Sequence, residues 1–239
     1  MNIRIFSLCI LGLLQGCNSV NPVWDTFKTA TGISDRRGEN LTPGIEYLQV
    51  KVNGHQVMMA LGYRTFPRSN KGVASGISQP ELNTQIYSKD QFTHEYWYSS
   101  QKEMLELVDG RIYSAMGMTT EWRKSNNPPP NWDSILRDQV TFWTRSRDLM
   151  PGYRYGFTDE IQTRLISAPT HLKDASLDTL NNATWFEDSI NSKDKQNLAW
   201  SYKQLFARVS GKIVYSEQCI ASDLCLSLKY IGMISKDKS

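Results

Sequence analysis

Three Xaa-Gly pairs, Asn53-Gly54, Asp109-Gly110 and Ser210-Gly211, each fall between two runs in which apolar and polar residues alternate. Asn-Gly and Asp-Gly supply the positive φ angles of a tight hairpin turn, and a hairpin joins strands only in antiparallel order. This punctuation constrains the fold more than any other feature of the chain. Before the first turn, Leu48, Val50 and Val52 share one strand face, with Gln49 and Lys51 on the other; the return strand runs from Val57 to Tyr63. Around the second turn lie Met104 to Val108 and Arg111 to Met116, preceded by Phe92 to Ser99. Around the third, Leu198 to Val209 pairs with Lys212 to Gln218, and Leu224, Leu226, Leu228 and Tyr230 form a last alternating face.

Between these hairpins the pattern is interrupted twice. Pro128 to Pro130 lack backbone donors and have fixed φ, so the stretch from Lys124 to Asn131 cannot continue a sheet, and Trp132 to Asp138 reads as a short helix. Thr141 to Arg147 and Tyr153 to Thr158 read as strands about a Pro151-Gly152 turn, continued by Ile161 to Ser167. The stretch from His171 to Lys195 is polar and has no clear strand period. Its Leu177, Leu180, Trp185, Phe186 and Ile190 are expected to cover an end of the sheet from a helix or loop. Residues 65–85 are rich in Gly, Ser, Asn and Pro and read as a long loop. Short strands with tight turns and almost no helix–strand alternation predict a mainly β chain. The expected form is an antiparallel meander sheet curled into a half-barrel, with a few short helices, because a long meander must curve to protect its edges.

The N-terminus has a different logic. Arg4 precedes an apolar run from Ile5 to Leu14, too short to span a bilayer as a mature helix and of the length of a signal-peptide core. It ends in Leu14-Gln15-Gly16-Cys17, which reads as a bacterial lipobox. The expected organisation is a lipoprotein signal over 1–16, a lipidated tether over 17–42, and a single β-rich domain over 43–239. The tether contains one helical piece, with Asn21 as cap, Pro22 at the first helical position and Gly32 as stop. Cys17 is the expected lipidation site, and multiple acyl chains would hold it to a membrane almost permanently. An ordinary cysteine after a non-lipoprotein signal, or an uncleaved anchor, are the alternatives. Asn18 rather than Asp follows Cys17, which by analogy with enteric lipoprotein sorting favours the outer membrane.

In an exported chain, Cys219 and Cys225 are expected to be disulfide bonded, with two reduced thiols as the alternative. A loop that short gives no more than about 2–3 kcal/mol. The net charge of +3 makes no case for nucleic acid. No catalytic constellation is evident. Gly72 to Gly76 lacks the spacing of a nucleophile elbow, Asp159-Glu160 and Glu187-Asp188 are sequence neighbours that point apart, and His55, His94 and His171 have no ligand spacing. The expectation is a protein that is not an enzyme and takes no cofactor or metal. Trp97, Trp122, Trp132 and Trp143, with Arg111 after the second turn, are candidates for glycan or partner contact. Their ordinary reading is as core aromatics and as an arginine holding a neighbouring carboxylate.

Three blocks carry a family resemblance: Tyr47 to Gly54; Leu107-Val108-Asp109-Gly110-Arg111-Ile112 leading to Gly117-Met118; and Trp200 to Gln218, ending Gly211-Lys212-Ile213-Val214-Tyr215-Ser216-Glu217-Gln218. In this order, and behind a lipobox, the chain resembles the YjbF/GfcB (YmcC) lipoproteins of exopolysaccharide and group-four capsule operons. Gly117-Met118 departs from the Gly-Leu expected there. The resemblance implies a lipid-anchored outer-membrane protein facing the periplasm. It would assist secretion or assembly with other polysaccharide-export proteins of its operon, and contact the polysaccharide itself. No catalytic residues are implied. A periplasmic module that binds lipid or lipoprotein is the alternative, and an uncharacterised hydrolase is a third reading. A continuous apolar lining would favour lipid; aromatics mixed with Arg, Asn and Asp would favour a glycan or a partner loop.

Overall fold

The computed structural model describes residues 41–52, 54–66, 92–123, 127–151, 154–172, 180–194 and 199–235. The expected signal, Cys17, the expected tether helix and residues 67–85 of the expected loop lie outside them, and Thr65 of that loop is the last residue of a strand. The strands are β1 (Glu46–Val52), β2 (His55–Thr65), β3 (His94–Tyr98), β4 (Met104–Val108), β5 (Arg111–Met116) and β6 (Glu121–Arg123). They continue as β7 (Val140–Met150), β8 (Arg154–Ile166), β9 (Thr184–Lys193), β10 (Ala199–Val209), β11 (Lys212–Ala221) and β12 (Leu224–Met233). A single short helix among the described residues, α1 (Trp132–Asp138), interrupts them, and Thr170–Leu172 form a 3-10 turn. No helix among the described residues is long and apolar enough to cross a membrane.

Each strand pairs antiparallel with the next, and the first pairs with the last, so the sheet is a closed barrel. The half-barrel expected from the sequence is corrected here: the meander curls until β1 meets β12, with Val50 opposite Leu228 and Val52 opposite Leu226. The physical reason is that both terminal strands carry an inward apolar face and an unpaired backbone edge. Joining them buries the first and satisfies the second. Two strands unread in the sequence supply the missing wall, β6 and β9. The helix-or-loop expectation for His171 to Lys195 fails at β9, whose inward residues Phe186, Asp188, Ile190 and Ser192 are all buried. Half of them are polar, which erased the hydrophobic period. On its outer side Trp185 is also buried, in a cluster with Leu180, Ala207 and Tyr215.

Alternate connections of a meander fall at the same end. The start of β1, the end of β12 and the β2–β3, β4–β5, β6–β7, β8–β9 and β10–β11 connections share one end, the mouth. The barrel is filled rather than hollow. One half is apolar, packed by Leu48, Val50, Val57, Trp97, Leu107 and Leu226 among others. The other half carries charge. The two meet where Gln218 of β11 reaches across to β5: its Oε1 accepts from Ile112 N at 2.7 Å and its Nε2 donates to Gly110 O at 2.8 Å. Gly110 sits so close to Ile213 that a Cβ on it would lie 2.5 Å from that side chain, which makes glycine necessary there for packing as well as for its φ of +83°.

Candidate functional site

The charged half of the interior is built by β5 and β7 to β9. Arg111 is 2% exposed, and its Nε donates to Asp188 Oδ2 at 3.2 Å. Its guanidinium lies 3.4 Å from the centre of the Trp132 ring, with Phe206 and Trp143 beyond. One turn of the wall away, Arg145 and Arg147 both donate to Asp159 Oδ2, at 2.7 and 2.8 Å. Arg145 also donates to the Tyr202 hydroxyl, and Arg147 to the Ile220 carbonyl. Trp122 lies against both guanidinium groups, 4.3 and 5.0 Å from its ring centre. Burial alone would raise the Asp159 carboxyl, but Arg145 and Arg147 overcome it and hold the group at about 2. These carboxylates are structural counter-ions. Their inward alternation is dictated by strand period; Asp159 is matched to two arginines on the neighbouring strand β7, and Asp188 of β9 to Arg111 across the interior on β5.

Helix α1 closes the mouth over this layer. Asn131 caps it by accepting from Asp133 N at 2.8 Å. Trp132 then packs on Phe186 and Phe206, with ring centres 4.7 and 5.1 Å apart, and donates through Nε1 to Asp109 O at 2.8 Å. Beside this plug a cleft of about 350 Å³ remains open. Its walls are the ends of β2, β3 and β10–β11, the Asp109-Gly110 turn and the start of α1. Arg64 spans two carboxylates there, bidentate to Glu46 (2.8 and 2.6 Å) and bonded through Nε to Glu95 at 2.9 Å. Lys212 reaches the same carboxylates at 3.5 and 3.7 Å and lies 3.3 Å from the centre of the Tyr230 ring. Arg208 pairs with Asp133 at 2.6 Å. Phe66 stands at the rim with 70% of its surface exposed. The hydrogen bond from Arg64 draws Glu46 down to about 2 against its burial, with help from Tyr230 and Lys212. Burial pulls Lys212 below its ordinary value, and burial raises Asp109.

The sequence-derived candidates are thereby separated. Trp97 and Trp122 are fully buried, Trp132 is 3% exposed, and Trp143 is half-buried with its Nε1 donating to Thr163 Oγ1 at 3.0 Å. Rings without an open face offer no stacking surface, so Trp97 acts as core and Trp122 as core and as a cushion for Arg145 and Arg147. Only Trp132 of these five residues borders the cleft, and Arg111 lies beneath it, holding Asp188. Cys219 and Cys225 face each other on β11 and β12 and are bonded. Cys17 lies outside the described residues. The sequence reading missed Arg64, Glu46, Glu95, Lys212 and Arg208. Their positions are far apart in the chain, and no local pattern joins them. It also missed the buried pair His94 and Glu106, whose Nδ1 and Oε1 approach to 2.9 Å beside the Tyr96 hydroxyl. Among the described residues no cluster of three or more His, Cys, Asp or Glu is placed to hold a metal ion.

No family model matches the chain, and no curated protein matches it. Among solved structures, the crystal structure of the hypothetical lipoprotein YmcC from Escherichia coli (K12) aligns with a TM-score of 0.55 and 14% identity, covering 88% of this chain and 96% of that one. At such identity the likeness carries the fold and not the chemistry of a site. Over most of both lengths, this chain shares the fold of the hypothetical lipoprotein YmcC.

Proposed function

We propose that the chain is a lipid-anchored, periplasm-facing outer-membrane lipoprotein that assists exopolysaccharide or capsule secretion or assembly by contact rather than catalysis. The observation that carries this reading is the mouth cleft. Its lining mixes Arg, Lys, Asp, Glu and Asn with an aromatic rim, the composition expected of a glycan or partner-loop site. The likeness to a lipoprotein, the lipobox at Cys17 and the sequence resemblance to polysaccharide-operon lipoproteins supply the setting. The lipid-handling alternative is weaker, because the cleft has no continuous apolar lining and the apolar half of the interior is filled by its own side chains.

The test is a clean deletion in the native host, complemented with the wild-type chain or with Cys17→Ser. Deletion is expected to lower surface polysaccharide, and Cys17→Ser to give a folded protein that restores it poorly. Normal surface polysaccharide in the deletion strain would refute the reading. Full restoration by a soluble Cys17→Ser protein would reduce the lipid to an address.

A further inference from the structure

We propose that the mouth cleft is a binding site for uncharged sugar rings, held between the exposed Phe66 ring and the Arg208–Asp133 and Arg64–Glu95 pairs. The inference deepens the polysaccharide reading above and rests on it for the choice of ligand class. Its physical content comes from the cleft. At about 350 Å³ the space lies at the small end of ligand sites.

Its charges are already matched. The cations Arg64, Arg208 and Lys212 face the carboxylates Glu95, Asp109 and Asp133, and the Arg64 and Arg208 ion pairs are 2.9 Å or shorter. With Glu46 behind them, also paired to Arg64 and Lys212, the carboxylates outnumber the cations, and a site without net positive charge offers little attraction to a phosphate or a carboxylate. Fixed guanidinium and carboxylate groups are nevertheless good donors and acceptors for neighbouring hydroxyls, because they are held in place before the ligand arrives. Arg208 keeps a buried Nε–H that has no hydrogen-bond partner.

Phe66 supplies the apolar half of sugar recognition. It is an aromatic face 70% exposed at the rim of a polar cleft, where it contributes little to the core. Other occupants fit less well. An acyl chain would need an apolar lining. An extended peptide commonly adds to a free sheet edge, and the terminal strands β1 and β12 offer none because they pair with each other.

The experiment uses the full chain, purified in a polyoxyethylene detergent that carries no sugar headgroup. Neutral disaccharides (lactose, cellobiose and N,N′-diacetylchitobiose), glucuronic acid and a neutral serine-rich peptide are titrated by calorimetry and by ligand-observed NMR. The expected result is saturable binding of at least one neutral disaccharide, weakened about tenfold by Phe66→Ala and by Arg208→Gln, with thermal stability of Phe66→Ala unchanged. No disaccharide binding, binding indifferent to both substitutions, or preferential binding of glucuronic acid or the peptide would each overturn the inference. The two readings fail separately. If deletion lowers surface polysaccharide but Phe66→Ala and Arg208→Gln restore it fully, the cleft inference falls and the export role stands. If deletion leaves polysaccharide unchanged while the cleft binds sugar as described, the export role falls and the site stands.

Discussion

The residues that do most in this barrel are polar ones turned inward. Asp188 is fully buried and accepts from Arg111 and from Thr163 Oγ1 at 2.6 Å. Removing one member of such a pair strands the other charge in a medium that cannot solvate it. Asp188→Ala is therefore expected to cost about 3–5 kcal/mol in urea unfolding, whereas the double substitution Arg111→Met, Asp188→Leu regains most of that loss. Acid should act through the same chemistry. Asp159 and Glu46 are both held at about 2, below their ordinary values of 3.8 and 4.5. A depressed carboxyl contributes stability that is complete above its unfolded value and disappears as pH falls towards its folded one. The urea midpoint is thus expected to be flat from neutrality to about pH 5 and to fall between about pH 5 and 2. Glu46→Gln should be less stable than wild type at pH 7 and have a shallower acid decline. An equally steep decline would show that Arg64 does not hold Glu46 as described.

At the scale of elements, the turns were the most legible part of the chain, and they are not equivalent. Gly54 and Gly110 share a φ of +83°, but a Cβ on Gly54 meets nothing within 4 Å, while one on Gly110 strikes Ile213. Gly54→Ala is expected to cost about 1–2 kcal/mol, from backbone strain alone. Gly110→Ala should cost about 1–3 kcal/mol more from overpacking, part of it recovered by adding Ile213→Gly, which removes the Cβ that the new methyl meets. Thermal denaturation of the three variants checks this. Strand β9 marks the opposite case. Its period is intact in space, yet Asp188 and Ser192 occupy inward positions because Arg111 and Arg147 need partners there. A hydrophobic-alternation reading sees only a polar stretch. The aromatics follow the same rule: Trp97 and Trp122 stood out in the sequence as candidates for contact, but their burial was decided by which face of β3 and β6 turned inward.

At the scale of the whole molecule, closure makes the wall only as secure as its shortest member. Strand β6 has three residues and one aligned position with β5, Ala115 opposite Trp122. The β1–β12 seam aligns over seven positions. Local opening draws on the region with the fewest cross-strand hydrogen bonds. Hydrogen exchange at Glu121–Arg123 is therefore expected to run faster than at Leu48–Val52, although Trp122 itself is fully buried. Slower exchange at β6 than at the seam would contradict this view of the wall.

Short-range physics is legible in the chain: Xaa-Gly turns that require antiparallel hairpins, an alternation of period two that defines strand faces, and a proline stretch followed by a short helix. The chain also contains Leu14-Gln15-Gly16-Cys17, the lipobox-like stretch on which the proposed membrane setting rests. Tertiary structure alone decided that the sheet closes, that β6 and β9 complete it, that three arginines and two aspartates fill half its interior, and that a charged cleft opens at the mouth. The reason is separation. Val50 and Leu228, Arg111 and Asp188, or Arg64, Glu46 and Lys212 become neighbours only when the whole meander has curled. Until then each reads as an ordinary residue of its own strand, and nothing local distinguishes a buried counter-ion from a solvated one.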